Sequence, residues 1–241
     1  DHTYDVRGRS SHEAIFNRND GSFRCRSTQQ GYSPFSTWTR GLAWAMLGYA
    51  EELEFFATIP AGKFKESVTL DKQPVMSVYE QAAIDTCDHY LNDASAADGI
   101  TYWDDGAPGL AKMGDWQSRP ADPYNDYEPV DSTASAIAAQ GLIRLGRYLG
   151  IERGKRYTQA GGSIARVLLE APYLAADPAH QGLLLHSIYH RPNGWDHVPE
   201  NRKIPCGESS LWGDYHLLEL ALLIKRMNEA ADYTFFEPVP R

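Results

Sequence analysis

The chain has 241 residues, 42% of them hydrophobic and 23% charged, enough for one large packed core or two small ones. Its formal net charge of −9 excludes a general nucleic-acid binder, whose affinity comes from many Lys and Arg side chains facing phosphates. No apolar run reaches the length of about 18 residues that a membrane-spanning helix needs, so no membrane span is expected.

In chain order, Thr3 to Phe16 carries a weak stripe that predicts a first one-faced helix. Leu42 to Phe56 is apolar nearly all round, the pattern of a helix buried on most sides. Val75 to Leu91 has a single apolar stripe, formed by Val75, Val78, Tyr79, Ala82, Ala83 and Tyr90, with a charged back. Ala134 to Leu149 is again apolar all round. Tyr157 to Leu169 is one-faced, through Tyr157, Ala160, Ile164, Ala165 and Leu168, and Leu211 to Ile224 is all-round once more. An inner layer alternating with an outer layer is the pattern of an all-α toroid of helical hairpins. Three inner helices with their outer neighbours would make about half of a six-hairpin ring.

The segments before the three inner helices are long, aromatic and polar: "NDGSFRCRSTQQGYSPFST", Tyr102 to Thr133, and His186 to Ser210. Loops beyond about 12–15 residues are usually functional or disordered, and the Trp and Tyr content here argues against disorder. These loops are expected to gather at one end, over the N-termini of the inner helices. Caps are expected at Ser36 or Thr37, at Asp131 or Ser132, and at Ser209 or Ser210.

Arg40 sits just inside an apolar helix, four residues before Trp44 and on its face, with Trp38 nearer the mouth. A buried guanidinium needs an anionic partner, either an internal carboxylate or a ligand carboxylate. Carboxylates are numerous: Asp104 and Asp105, then Asp126, Glu128 and Asp131, and Asp214, which is expected to be a buried hydrogen-bond hub. No pair stands out by spacing as an acid/base couple. His186, His190, His197 and His216 lack helical HxxxH spacing, and Cys25, Cys87 and Cys206 lack CxxC spacing, so no metal site is expected. "QAGGSIA" lacks the lysine of a phosphate loop.

Several segments in order, "DGSF", "QQGYSPFSTWTRGLAWAMLGYA", "YWDD", "DSTASAIAAQGLIRL", "LLLHS" and "SLWGDYHLLELALL", resemble the unsaturated glucuronyl hydrolases of glycoside hydrolase family 88. The unsaturated rhamnogalacturonyl hydrolases of family 105 are the close alternative, and a non-catalytic sugar-binding α/α toroid is a third. The resemblance implies an (α/α)6 barrel, with residues 1–241 as roughly the C-terminal half of one catalytic domain. It implies a substrate, an oligosaccharide ending in an unsaturated uronate, and no metal or organic cofactor. Carried over by position, Gln30, Trp38, Arg40, Trp44 and Tyr215 would line the pocket of the unsaturated sugar. Arg24 stands where the family has a substrate-contacting histidine, and Gln29 where "HQG" would give another. The family's acid/base aspartate lies upstream of the "DGS" segment and matches none of the aspartates here. No catalytic residue is therefore expected within this chain, and the N-terminal half of the barrel is its expected partner. The compartment stays open between bacterial cytoplasm and periplasm.

Overall fold

The computed structural model describes residues 6–231, 233, 234 and 236. Two short strands, β1 (Glu13–Phe16) and β2 (Phe23–Ser27), precede five helices: α1 (Thr39–Thr58), α2 (Ala61–Val68), α3 (Lys72–His89), α4 (Ser132–Leu168) and α5 (Leu211–Asn228).

The chain is mostly helical, but its start departs from expectation. Residues 3–5 lie outside the described residues, and the rest of the segment expected as a helix is not helical. β1 pairs antiparallel with β2, Glu13 opposite Ser27. The cause is the turn "NRNDGS". Asp20 accepts the Ser22 N–H at 2.9 Å, Gly21 adopts φ 69, and the Asn17 N–H meets the Ser22 carbonyl at 2.8 Å. An Asp-Gly turn between two short strands outweighs a weak helical stripe.

α4 is a hairpin rather than one rod. Gly150 (φ 76, ψ 175) reverses the chain between limbs 132–149 and 151–168. The limbs touch backbone to backbone: a Cβ on Gly154 would lie 1.8 Å from the Gly146 carbonyl oxygen, and one on Gly161 would lie 2.8 Å from that of Ala139. α1 and α3 form a comparable antiparallel pair, since Thr37 at the entrance to α1 meets His89 at the end of α3 while Phe56 packs on Tyr79. The short α2, not foreseen from the sequence, bridges them by burying Phe64 against Phe56.

α1, the first limb of α4 and α5 run parallel as an inner row. Arg40 meets Asp131 and Arg144 meets Glu54, while Thr133 lies beside Ser210 and Gln140 beside His216. α3 and the second limb of α4 form the outer row, tied by Arg153–Glu80 at 2.6 Å and by Arg156 and Tyr157 on Asp88. The middle inner helix is buried continuously from Ser132 to Gly146. Its neighbours are not. α5, expected to be buried on most sides, leaves Leu211 85%, Leu218 57% and Tyr215 49% exposed, and α1 leaves Trp44 42% exposed. The reason is that α5 packs chiefly on α4 and meets α1 through side chains such as His216 on Trp44.

The three long loops meet at the N-terminal end of the inner row. Thr39 donates to the Trp103 carbonyl, Ser132 to the His186 carbonyl, and Arg202 to the carbonyls of Tyr124 and Asn125. Two of the expected caps form: Asp131 accepts from the Ala134 N–H and Ser210 from the Gly213 N–H. The first does not. Trp38 occupies the N-cap of α1 without a side-chain bond, and the Thr37 N–H is instead taken by Asp105 Oδ1 at 2.7 Å, a partner 68 residues away.

Candidate functional site

Arg40 is the centre of the loop-lined end. Its side chain is buried, so each guanidinium hydrogen needs an acceptor. Nη2 donates to the Tyr189 carbonyl at 2.8 Å and, more loosely, to Gln30 Oε1 at 3.4 Å, while Nη1 donates to the Ile188 carbonyl. Asp131 Oδ2 lies 3.2 Å from Nη1 without a directed hydrogen bond. Of the two partners open from sequence, the internal carboxylate is therefore present. Burial pushes the Asp131 carboxyl above its ordinary range, and the Arg40 charge opposes this. The guanidinium also lies over the rings of Trp38, at 5.1 Å, and Trp212, at 5.6 Å, an arrangement attractive to a cation.

The structure thus brings Gln30, Trp38 and Arg40 together. Trp44 and Tyr215 line an adjoining cavity of ≈ 720 Å³ between α1 and α5, with Trp212, His216 and Glu51. Trp212 belongs to both groups and joins them. Arg24 is not gathered there and stands exposed on β2. His216 packs edge-on against Trp44 at 4.8 Å, and burial drops its imidazole to about 4, so it stays neutral in the wall. The other histidines stay apart: His186 is buried between Tyr124 and Tyr173, and His190 packs on Trp195. Among the described residues no group of three or more His, Cys, Asp and Glu side chains could hold a metal.

Sequence reasoning missed His12, because its segment was read as helix. Its Nδ1 accepts the backbone N–H groups of Gln29 and Gln30 at 3.1 and 3.3 Å, and its ring packs on Trp38 at 4.6 Å. Burial lowers its pKa, which favours the neutral ring such acceptance requires.

Apart from Asp126, which stands exposed, the carboxylates singled out in the loops turn out to be clamps. Asp104, wholly buried, takes the Tyr32 N–H on Oδ2 at 2.8 Å and the Gly106 N–H on Oδ1 at 2.9 Å. Glu128 takes Trp103 Nε1 and the Gly109 N–H, both at 2.8 Å. Asp214, expected as a buried hydrogen-bond hub, is only half-buried, and takes the Leu183 and Leu184 N–H groups at 3.0 and 2.8 Å.

Burial raises Asp104 to about 6, against three hydrogen bonds that lower it. A carboxyl raised in the folded state adds stability that is full below its ordinary pKa and is lost as pH rises through the folded value. Urea unfolding between pH 4 and 7 is expected to show wild type losing roughly 2–3 kcal/mol relative to Asp104→Asn across this window. A constant difference between the two would disprove the clamp's titration.

No family model matches the chain. The chain is similar to part of an unsaturated glucuronyl hydrolase. With that enzyme from Bacillus sp. (strain GL1) it shares 26% identity over 228 residues, which is 92% of this chain and 48% of the relative. With the unsaturated chondroitin disaccharide hydrolase of Streptococcus pyogenes serotype M1 it shares 30% over 200 residues, or 81% of this chain and 39% of the relative. The crystal structure of the Bacillus sp. GL1 unsaturated glucuronyl hydrolase superposes with a TM-score of 0.65 at 25% identity, covering 91% of this chain and 48% of that one. The chain therefore spans less than half the length of these relatives. No helix among the described residues is long and apolar enough to cross a membrane.

Proposed function

We propose that this chain is about the C-terminal half of an (α/α)6 barrel and works in a hydrolase that removes unsaturated uronic acid from the non-reducing end of lyase-generated oligosaccharides. The observation that carries this is the cluster of Gln30, Trp38 and Arg40, which Trp212 joins to the cavity of Trp44 and Tyr215. Indole and phenol rings suit the C–H face of a sugar, and a guanidinium suits its carboxylate. The similarity to unsaturated glucuronyl and chondroitin disaccharide hydrolases supports the reaction class. The open apolar edge of α5 at Leu211, Tyr215 and Leu218 is what further barrel helices would cover.

In this reaction a carboxylic acid protonates C4 of the vinyl ether, water adds at C5, and the resulting hemiketal collapses with loss of the leaving sugar. The residues of this chain bind and orient, and the proton donor lies in the other half of the barrel. Glu51 is the one carboxyl in the cavity wall that keeps its proton near neutrality, raised to about 7 by burial against the pull of Arg144. It lies eleven residues along α1 from Arg40, roughly 16 Å at helical rise, too far to protonate a sugar anchored there.

The full-length gene product, given a lyase-generated unsaturated disaccharide, is expected to abolish the ultraviolet absorbance of the double bond. Residues 1–241 alone are expected to leave it unchanged. Persistence of the absorbance with the full-length protein would refute the enzyme; its loss with the isolated chain would refute the placement of the proton donor.

A further inference from the structure

Trp38 and Arg40 open α1, yet the N-cap position of that helix forms no side-chain hydrogen bond. A distant loop lays down its first residues instead. Thr39 donates its hydroxyl to the Tyr102 carbonyl at 2.7 Å and its N–H to the Trp103 carbonyl at 3.2 Å, and Trp38 pairs antiparallel with Asp104. The Asp105 N–H then meets the Thr37 carbonyl at 3.1 Å, and Asp105 Oδ1 takes the Thr37 N–H at 2.7 Å. Both backbone groups of the residue before Trp38 are thus held by Asp105.

Asp105 is braced in turn. Its Oδ2 lies 3.4 Å from Nε2 of His89, the last residue of α3, and the same nitrogen lies 3.3 Å from the Thr37 hydroxyl. On the far side of the ring, His89 Nδ1 lies 3.1 Å from Asp93 Oδ2. The His89 side chain is 5% and the Asp105 side chain 13% exposed, so neither leaves its place without opening the packing. The pair ties the outer helix α3 to the start of the inner helix α1. Trp38 is confined on its other side too: a Cβ on Gly41 would lie 2.7 Å from its ring, and the Arg40 guanidinium lies 5.1 Å from the ring centroid.

We propose that Asp105 and His89 are positioning residues for sugar binding: without touching the ligand they fix the entry of α1, and through it the place of Trp38 relative to Arg40. This rests on the pocket reading above. A binding constellation keeps its geometry only where hydrogen bonds behind it lock its side chains. Here those bonds come from Asp105, 68 residues from Thr37, and from His89, 52 residues away. Loss of the brace leaves every pocket side chain present and lets the first turn of α1 drift.

The test is calorimetric titration of the full-length protein with a lyase-generated unsaturated disaccharide. Asp105→Ala and His89→Ala are each expected to bind it about fivefold to tenfold more weakly than wild type. The double variant should bind no more weakly than Asp105→Ala alone, since both side chains act through Thr37. Asp105→Asn should restore affinity to within about twofold of wild type: its amide oxygen still takes the Thr37 N–H, and its amide N–H donates to His89 Nε2. A control separates positioning from general loosening. Asp98 clamps the Ile100 and Ala121 N–H groups, each at 3.2 Å, and Asp98→Ala should leave affinity within about twofold. Urea unfolding checks that each variant is folded at the titration temperature; where Asp105→Ala is not, His89→Ala and Asp105→Asn carry the comparison. Unchanged affinity in the alanine variants, or an equal loss in Asp98→Ala, overturns the positioning role while leaving the pocket standing. Absence of binding in wild type overturns the pocket and the positioning role together.

Discussion

Replacing Asp131 with asparagine is expected to destabilise the protein by about 3 kcal/mol, read from urea unfolding. The asparagine keeps an oxygen for the Ala134 N–H, so the α4 cap survives and the loss reports the charge. What remains is a guanidinium only 4% exposed, facing carbonyl dipoles where a carboxylate had stood 3.2 Å away. Arg40→Met is expected to cost a similar amount by the opposite route, leaving a fully buried Asp131 without its cation. That loss should depend on pH. Arg40 is the main influence holding the Asp131 carboxyl down against burial, so without it the carboxyl rises further. The penalty is full at alkaline pH and shrinks as acid neutralises Asp131. The double variant R40M/D131N should be less destabilised than the sum of the two by about 2 kcal/mol. Strict additivity would mean that the pair is a coincidence of packing.

How much of this was legible beforehand differs by element. The two limbs of α4 were visible because periodicity reports burial directly: the all-round stretch from Ala134 and the stripe of Tyr157, Ile164 and Leu168 land in the buried positions expected of them, whereas Val78 of the α3 stripe and Leu211 and Leu218 of α5 stand exposed. The caps at Asp131 and Ser210 were visible because a cap is local. The cap of α1 was not, because the acceptor for Thr37 comes from Asp105, far off in the sequence. The β1–β2 hairpin was hidden for a different reason. A four-residue strand carries too little pattern to compete with a helical stripe, and the Asp-Gly turn was the signal to weigh. At the site, Gln30, Trp38 and Arg40 were legible as a motif, whereas His12, Trp212 and Tyr189 join them only through tertiary contact. The roles of the loop carboxylates were not legible, because residue type cannot reveal that the oxygens of Asp104 are taken by backbone N–H groups and those of Glu128 by a backbone N–H and the Trp103 indole.

The same double variant separates what Arg40 does for the fold from what it does for a ligand. In wild type the guanidinium is balanced by Asp131, so its long-range pull on an anion is small and any recognition must be short-range. The replaceable contact is the one from Nη2 to Gln30, at 3.4 Å the longest of its hydrogen bonds, beside the Trp38 ring. A ligand carboxylate that displaces the Gln30 oxygen would gain a charge-assisted bond worth about 1.5–3 kcal/mol. R40M/D131N, which avoids an unpaired buried charge, is therefore expected to bind an unsaturated uronate oligosaccharide roughly 10- to 100-fold more weakly than wild type. Its affinity for the same oligosaccharide with the terminal carboxylate reduced to an alcohol should change by no more than about twofold. Equal weakening of both sugars in parallel titrations would place Arg40 in the scaffold alone, holding the carbonyls of Ile188 and Tyr189, and would leave the aromatic rings as the recognising groups.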